Sequence, residues 1–448
     1  MNFIIHKQLT YFLLILLFFI SQNNKAQISE KTLKKHVKKL SSKNFEGRGI
    51  RTDGIKLAEN YILSQVNILN LNPINNVYRQ EFSLNSQKML RPDTCLLILK
   101  NDTLHYGKDY YTLNQNTNKT YQLPLYHYQQ TNNNKILTDH AILINHINQL
   151  NKIKSPQTKA IFVKQESSIE FEKLTNTNGS GINNDLNSPL LTKQNIKTYY
   201  LSPSTSKLID ESLKTDSLLV TAVVSEENTT INPANILAQI KGTKGDSTII
   251  ISAHYDHIGI RYGKINPGAN DNASGVAALL EIAKQLSQSQ TRPKHNILFA
   301  FFSAEESGLL GSRYFVSNPP HPLNKTIANI NLDMIGNTDP MHKKDPNYIY
   351  AYGPEKTSYF LMHKIDSINN KHFFLNIDHY KHDKTMAQKF LRMSDQANFI
   401  KHNIPALFIF NGLSPNYHTP KDTYNKLDYK KIKNVCELTI ELIKDLAY

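Results

Sequence analysis

From Asn232 onward the chain alternates two hydrophobic periods, and this alternation restricts the fold more than any other feature. The short, nearly continuous apolar runs STIIISAHY, NILFAFFSA, ANINLDMIG and PALFIF read as strands buried on both faces. Helical patterns over Ala273–Leu286, Leu309–Val316, Glu355–Asn369 and Tyr429–Leu446 separate or follow them. Strands interleaved with helices predict a mainly parallel sheet sandwiched by helices, the α/β class. In open sheets of this kind, ligand sites form beyond the carboxyl ends of the strands.

The rest of the chain divides by composition. Lys7 precedes an apolar run, Tyr11–Ile20, and a short polar stretch closes at Ala26, so residues 1–26 read as a secretory signal peptide. The expectation is an exported protein, periplasmic or extracellular, with no stable membrane insertion once the signal is removed. Residues 27–90 carry helical patterns at Thr32–Leu40 and Ile55–Leu69, separated by the loop-like NFEGRGIRTDG. In residues 91–228, strand-like runs (CLLILK, HAILINH, KAIFVKQ) stand among Asn-, Thr-, Ser- and Lys-rich stretches, which predicts a mostly β insertion. Residues 229–448 form the α/β core. Hydrophobic residues make up 40% of the 448, enough for a sizeable core. The net charge of +15 invites a nucleic-acid partner. However, the lysines are dispersed in an Asn-rich background with no basic stripe among aromatics, and that partner is set aside. Cys95 and Cys436 are too few for a disulfide framework.

The chemistry concentrates between His254 and His418. HYDH, GANDNASG and FFSAEESGLLGS bring together His and carboxylates with no Lys or Arg inside the motifs. Crowded carboxylates repel one another unless a cation lies between them. His254 ends a strand, and Asp256 is placed to accept its other ring N–H. His257 lacks such support and reads as a neighbouring polar residue. Asp271 precedes a helix that Asn272 or Ser274 would cap equally well, which leaves its carboxylate free to bridge two cations. Glu305 and Glu306 follow a buried strand, one suited to ligate and the other to face an attacking water; spacing alone does not order the pair. Asp333 reads as a carboxylate within an apolar strand, where it needs a partner. His418 lies in a turn ahead of the last helix. Mixed His and carboxylate donors suit zinc.

HYDHIG, GANDNASG, SAEESGLLGS, NLDMIG and YHTPKDT together resemble the zinc-dependent M28 peptidases, over about residues 232–448, and NFEGRG fits their usual N-terminal portion. The resemblance implies a three-layer α/β/α, phosphorylase/hydrolase-like core with a mixed, mainly parallel sheet. It also implies two Zn2+ per chain, one on His254 and Asp333, the other on Glu306 and His418, with Asp271 bridging. Glu305 is then the general base and Asp256 the orienting acid. Some members carry an inserted protease-associated domain where residues 91–228 stand. The implied activity is an aminopeptidase that trims peptide substrates with metal-activated water. Glutaminyl cyclase, carboxypeptidase or dipeptidase activity and a catalytically inactive binding module are the alternatives. One departure is Gln396 in MSDQANF, where many relatives have His.

Overall fold

The computed structural model describes residues 28–84 and 231–448, except 262–263, 374 and 381–382. Between these it describes 95–99, 102–105, 109–112, 119–128, 138–146, 149, 153, 157–165, 167, 197–215 and 218–224. The signal-peptide reading of residues 1–26 and the nearly featureless Glu172–Lys193 fall outside the described residues. Among the described residues, no helix is long and apolar enough to cross a membrane. The chain divides into two compact units, one formed by residues 1–83, 232–260 and 264–448, the other by 84–231 and 261–263.

The first unit is built on a nine-stranded mixed sheet. Its centre is parallel: Asn296–Phe302 pairs with Thr248–His254, which pairs with Thr326–Leu332, which pairs with Ala406–Phe410. Ala234–Ile240 adds antiparallel on one side and Tyr348–Tyr352 on the other. Successive strand side chains point to opposite faces, and this parity sorts the core. Ile249, Ile251, Ile297, Phe299 and Phe301 face the helices Glu30–Leu40, Asp53–Ile68, Gly275–Ser287, Glu355–His372 and Tyr429–Ala447. Ile250, Leu298, Ala300 and Phe302 pack with Phe315 and Phe399, on the helices Leu310–Ser317 and Gln396–Lys401. Helices therefore cover both faces, the three layers expected of the α/β reading. The second face also carries a buried polar network. Ser252 donates to Asn331 at 2.7 Å, and Asn331 donates to Ser394 at 2.9 Å and Gln396 at 3.0 Å. Gln396 thus bonds beneath the sheet and donates onward to the Phe390 carbonyl at 3.1 Å.

The second unit holds an eight-stranded mixed sheet in which Lys119–His127, His140–Ile144, Thr158–Lys164 and Lys197–Leu201 run parallel in sequence. One helix, Pro203–Thr215, seats Ile209 and Leu213 among Leu143, Phe162 and Tyr199. Cys436 is a free, buried thiol in the first unit's core.

One sequence expectation needs correction. The strand carrying NLDMIG ends at Leu332, so Asp333 stands just past it rather than within it. The backbone turns there, with Met334 at φ +55°. The Gly-rich break before the second helix begins with a 3-10 segment, Lys43–Arg48, that is kinked by left-handed backbone at Glu46, Gly47 and Arg48, and continues as turn and bend to Thr52.

Candidate metal centre

The predicted donors converge at the carboxyl edge of the parallel strands. His254, Glu305 and Asp333 offer donor atoms that all lie within 4.8 Å of one another. A second group with the same spacing consists of His257, Asp271, Glu306 and His418. Asp271 faces both: its Oδ1 lies 3.4 Å from His254 Nε2, and its Oδ2 lies 3.1 Å from His418 Nε2. One oxygen toward each group is the geometry of a bridging carboxylate.

Local backbone explains the convergence. Two bends just past strand ends and one later turn use left-handed residues that are not glycine: Ala304 at φ +57°, Met334 at +55° and, in the turn, His418 at +54°. Such conformations cost free energy and persist where surrounding structure holds them. Here they turn Glu305, Asp333 and His418 toward one point. The GANDNASG segment is stitched to the neighbouring strand end by its own amides: Asn272 donates to Leu332 O at 2.9 Å, and Gly336 N donates to Asn270 Oδ1 at 2.8 Å.

Asp256 acts differently from its expected role. The His254 Nδ1 contact is to the Asp256 main-chain carbonyl, at 3.1 Å, while the carboxylate stands 3.7 Å off. That carboxylate instead accepts the amides of Glu305, at 3.0 Å, and Glu306, at 3.2 Å. It fixes the backbone from which both glutamates project. The His254–Phe302 register places the two segments side by side, which makes this reach possible.

His257 stands beside these donors as a polar neighbour: its Nδ1 lies 2.7 Å from Glu306 Oε1 and 3.7 Å from Asp271 Oδ2, within the second donor group. It follows His254 by three residues, and its amide is held by the Arg48 carbonyl at 3.1 Å. Asp422, the acid of YHTPKDT, is missed by sequence reasoning. Its carboxylate accepts Asn270 N at 3.0 Å and Asp271 N at 3.1 Å, holding the bridging residue's backbone.

The electrostatics fit a cation. Burial alone would lower His418, but the Glu306 and Asp271 carboxylates push it up to about 10. Glu306 is held at about 2 although burial and Asp271 oppose this, because His418 and His257 favour its charged form. His254 is likewise raised well above its usual value, against burial, by Asp333 and Glu305. Burial, reinforced by Glu306, Asp333 and Asp395, raises Glu305 well above the carboxylate range despite His254. In effect His254 and His418 hold protons where positive charge is wanted. His418 Nε2 is buried 3.1 Å from two carboxylate oxygens yet makes no hydrogen bond of acceptable angle. A nitrogen aimed between oxygens in this way suits metal coordination better than a hydrogen bond.

Residues 235–443 match the model of peptidase family M28. A probable leucine aminopeptidase 2 from Trichophyton verrucosum (strain HKI 0517) is 29% identical over 180 residues, 40% of this chain and 33% of the relative. Leupeptin-inactivating enzyme 1 from Streptomyces exfoliatus is 36% identical over 107 residues, 24% of this chain and 23% of the relative. The chain thus spans about a third or less of the length of these relatives. Among solved structures, BSAP, a zinc aminopeptidase from Bacillus subtilis, aligns with a TM-score of 0.62 at 19% identity, covering 94% of this chain and 95% of that one. An aminopeptidase from Aneurinibacillus sp. strain AM-1 aligns with a TM-score of 0.58 over the same shares. These likenesses establish the fold.

Proposed function

We propose that the chain is an exported zinc aminopeptidase that binds two Zn2+ and removes N-terminal residues from peptides. The observation that carries this reading is the meeting of two His/carboxylate donor groups around the two-faced Asp271, with Glu305 beside them. The family match and the relatives' names support the activity, and the signal-like pattern of residues 1–26 supports export. We also retain the reading of residues 91–228 as an inserted protease-associated-type domain.

His254 and Asp333 would hold one zinc, Glu306 and His418 the other, and Asp271 both. When bound, zinc supplies Lewis acidity, polarising a carbonyl and making water nucleophilic near neutral pH. Glu305 would act as its carboxylate, taking a proton from the attacking water, and the burial that favours its protonated form suits it to hold that proton and return it to the leaving amine. Asp256 keeps Glu305 and Glu306 pointing to different tasks by anchoring both amides.

The test is metal analysis of the purified chain, with a panel of aminoacyl-arylamides assayed with and without a chelator. Two zinc ions per chain are expected, with chelator-sensitive hydrolysis that N-acetylation of the substrate abolishes. Hydrolysis of N-acetylated substrates, or cyclisation of N-terminal Gln without peptide cleavage, would replace this reading.

A further inference from the structure

The chemistry above has no use for Arg48, yet it is one of the most completely buried side chains, at 0% exposure. Its guanidinium reaches segments more than two hundred residues away. Nε donates to Tyr255 O at 2.8 Å, Nη1 to Leu40 O at 2.9 Å and Pro267 O at 2.8 Å, and Nη2 to Gly268 O at 2.8 Å and Asp271 O at 3.1 Å. All the N–H groups that a guanidinium owns are thereby satisfied by main-chain carbonyls. Tyr255 sits between His254 and Asp256, and Gly268–Asp271 is the approach to the bridging carboxylate. The Arg48 carbonyl also accepts the His257 amide at 3.1 Å. Leu40 ends the helix Glu30–Leu40, where carbonyls lack intrahelical partners.

Two glycines let these backbones close on one another. Gly47 has φ +62°, and a Cβ there would stand 2.3 Å from Asn266 O. Gly268 has φ +59°, and its Cβ would stand 2.7 Å from Arg48 Nη2 and 2.5 Å from the His257 ring. The charge is balanced by proximity rather than contact, with Asp271, Asp422, Asp256 and Glu306 around it.

We propose that Arg48 is a positioning residue of the metal centre, tying the His254–His257 turn and the Gly268–Asp271 approach to the first helix so that the donors converge before any metal arrives. The proposal rests on reading the cluster as a zinc site. A lysine cannot replace it, because an ammonium offers three donors from one point and cannot span these carbonyls. Outer supports of this kind typically govern 10- to 100-fold of metal affinity.

The experiment measures zinc affinity by competition with a chelating dye, using the stripped full chain, Arg48→Lys and Val37→Ala. The Val37 side chain is buried in the first helix and, being apolar, makes no hydrogen bond to the ligand loops, so its truncation reports lost packing with the Arg48 bonds left in place. Arg48→Lys should lose about 10- to 100-fold in zinc affinity, while Val37→Ala lowers the melting temperature and keeps affinity within about twofold. Unchanged affinity in Arg48→Lys, or an equal loss in Val37→Ala, overturns the proposal while leaving the zinc site intact. Failure of the unsubstituted chain to bind zinc overturns the metal reading and this proposal with it. Should Arg48→Lys not fold, hydrogen exchange on the metal-free natural chain decides. Amides of Tyr255–His257 and Ala269–Asp271 should exchange as slowly as those of the helix Glu30–Leu40, and much faster exchange overturns the proposal.

Discussion

The two halves of the donor cluster are built by different means. His254, Glu305 and Asp333 stand at or just beyond the ends of adjacent parallel strands, whose ladders pair His254 with Phe302 and Ser252 with Asn331. Sheet hydrogen bonds set their separation directly. In the other half, His257, Asp271, Glu306 and His418 stand on loops. Their places depend on buried groups brought from elsewhere: the Asp256 carboxylate under Glu306, the Asp422 carboxylate under Asp271, and the Arg48 main-chain carbonyl under His257. The strand-end half is thus fixed mainly by secondary structure and the loop half mainly by tertiary polar contacts, with the Asp256 carboxylate serving Glu305 as well. Changes far from the donors should therefore disturb the loop half first.

The largest effect should come from the residue assigned to proton transfer. Glu305→Gln is expected to lower kcat by about a hundred- to ten-thousand-fold while both zinc ions stay bound, as read by arylamide turnover and metal analysis. Near-normal turnover would remove Glu305 from that role. Next, the two halves can be separated by ligand deletion. His418→Ala should leave zinc in the strand-end half and weaken the loop-half metal by more than the roughly 100-fold that an outer partner governs. Loss of both metals together would show that the halves are not independent.

Acidity should act on the loop half with a definite sign. Metal-free His418 keeps its proton up to about pH 10, and zinc takes only the neutral ring, so binding expels that proton. Affinity should rise with pH below that value by roughly tenfold per unit for each proton displaced. Glu306, held at about 2, is already charged and adds no slope in this window. Titrations showing flat or falling affinity between neutral pH and pH 9 would contradict the coupling. The smallest effect is expected from Asp422→Asn, which keeps the shape but gives up one of the oxygens that meet the Asn270 and Asp271 amides. A loss of about tenfold in zinc affinity, the low end for an outer support, is the expected reading by dye competition.

This contrast also marks what the sequence reveals. Strand-end donors are legible because a buried apolar run terminates in a charged residue, as STIIISAH and NILFAFFSAEE do. His254 and the Glu305–Glu306 pair therefore stand out, as does the sheet beneath them, while Asp333 is legible as a carboxylate among apolar neighbours. The supports of the loop half leave no such local mark. Arg48 looks like one more basic residue in a Gly-rich stretch, and its burial exists only when segments around Leu40, Tyr255 and Gly268 meet. Asp422 resembles a solvated loop acid, and the Asp256 carboxylate found backbone amides instead of the expected imidazole. Hydrogen bonds to main chain are blind to the partner's identity, so no residue pattern announces them. His257 likewise carries no local sequence mark of its 2.7 Å approach to Glu306.

The most direct measurement is anomalous diffraction at the zinc absorption edge from crystals of the zinc-loaded chain. Two peaks separated by roughly 3.5–4 Å are expected, one among His254, Asp333 and Asp271, the other among Asp271, Glu306 and His418. A chain with no peak at this edge, or with a lysine or arginine side chain lying among these donors instead, would contradict the two-zinc reading.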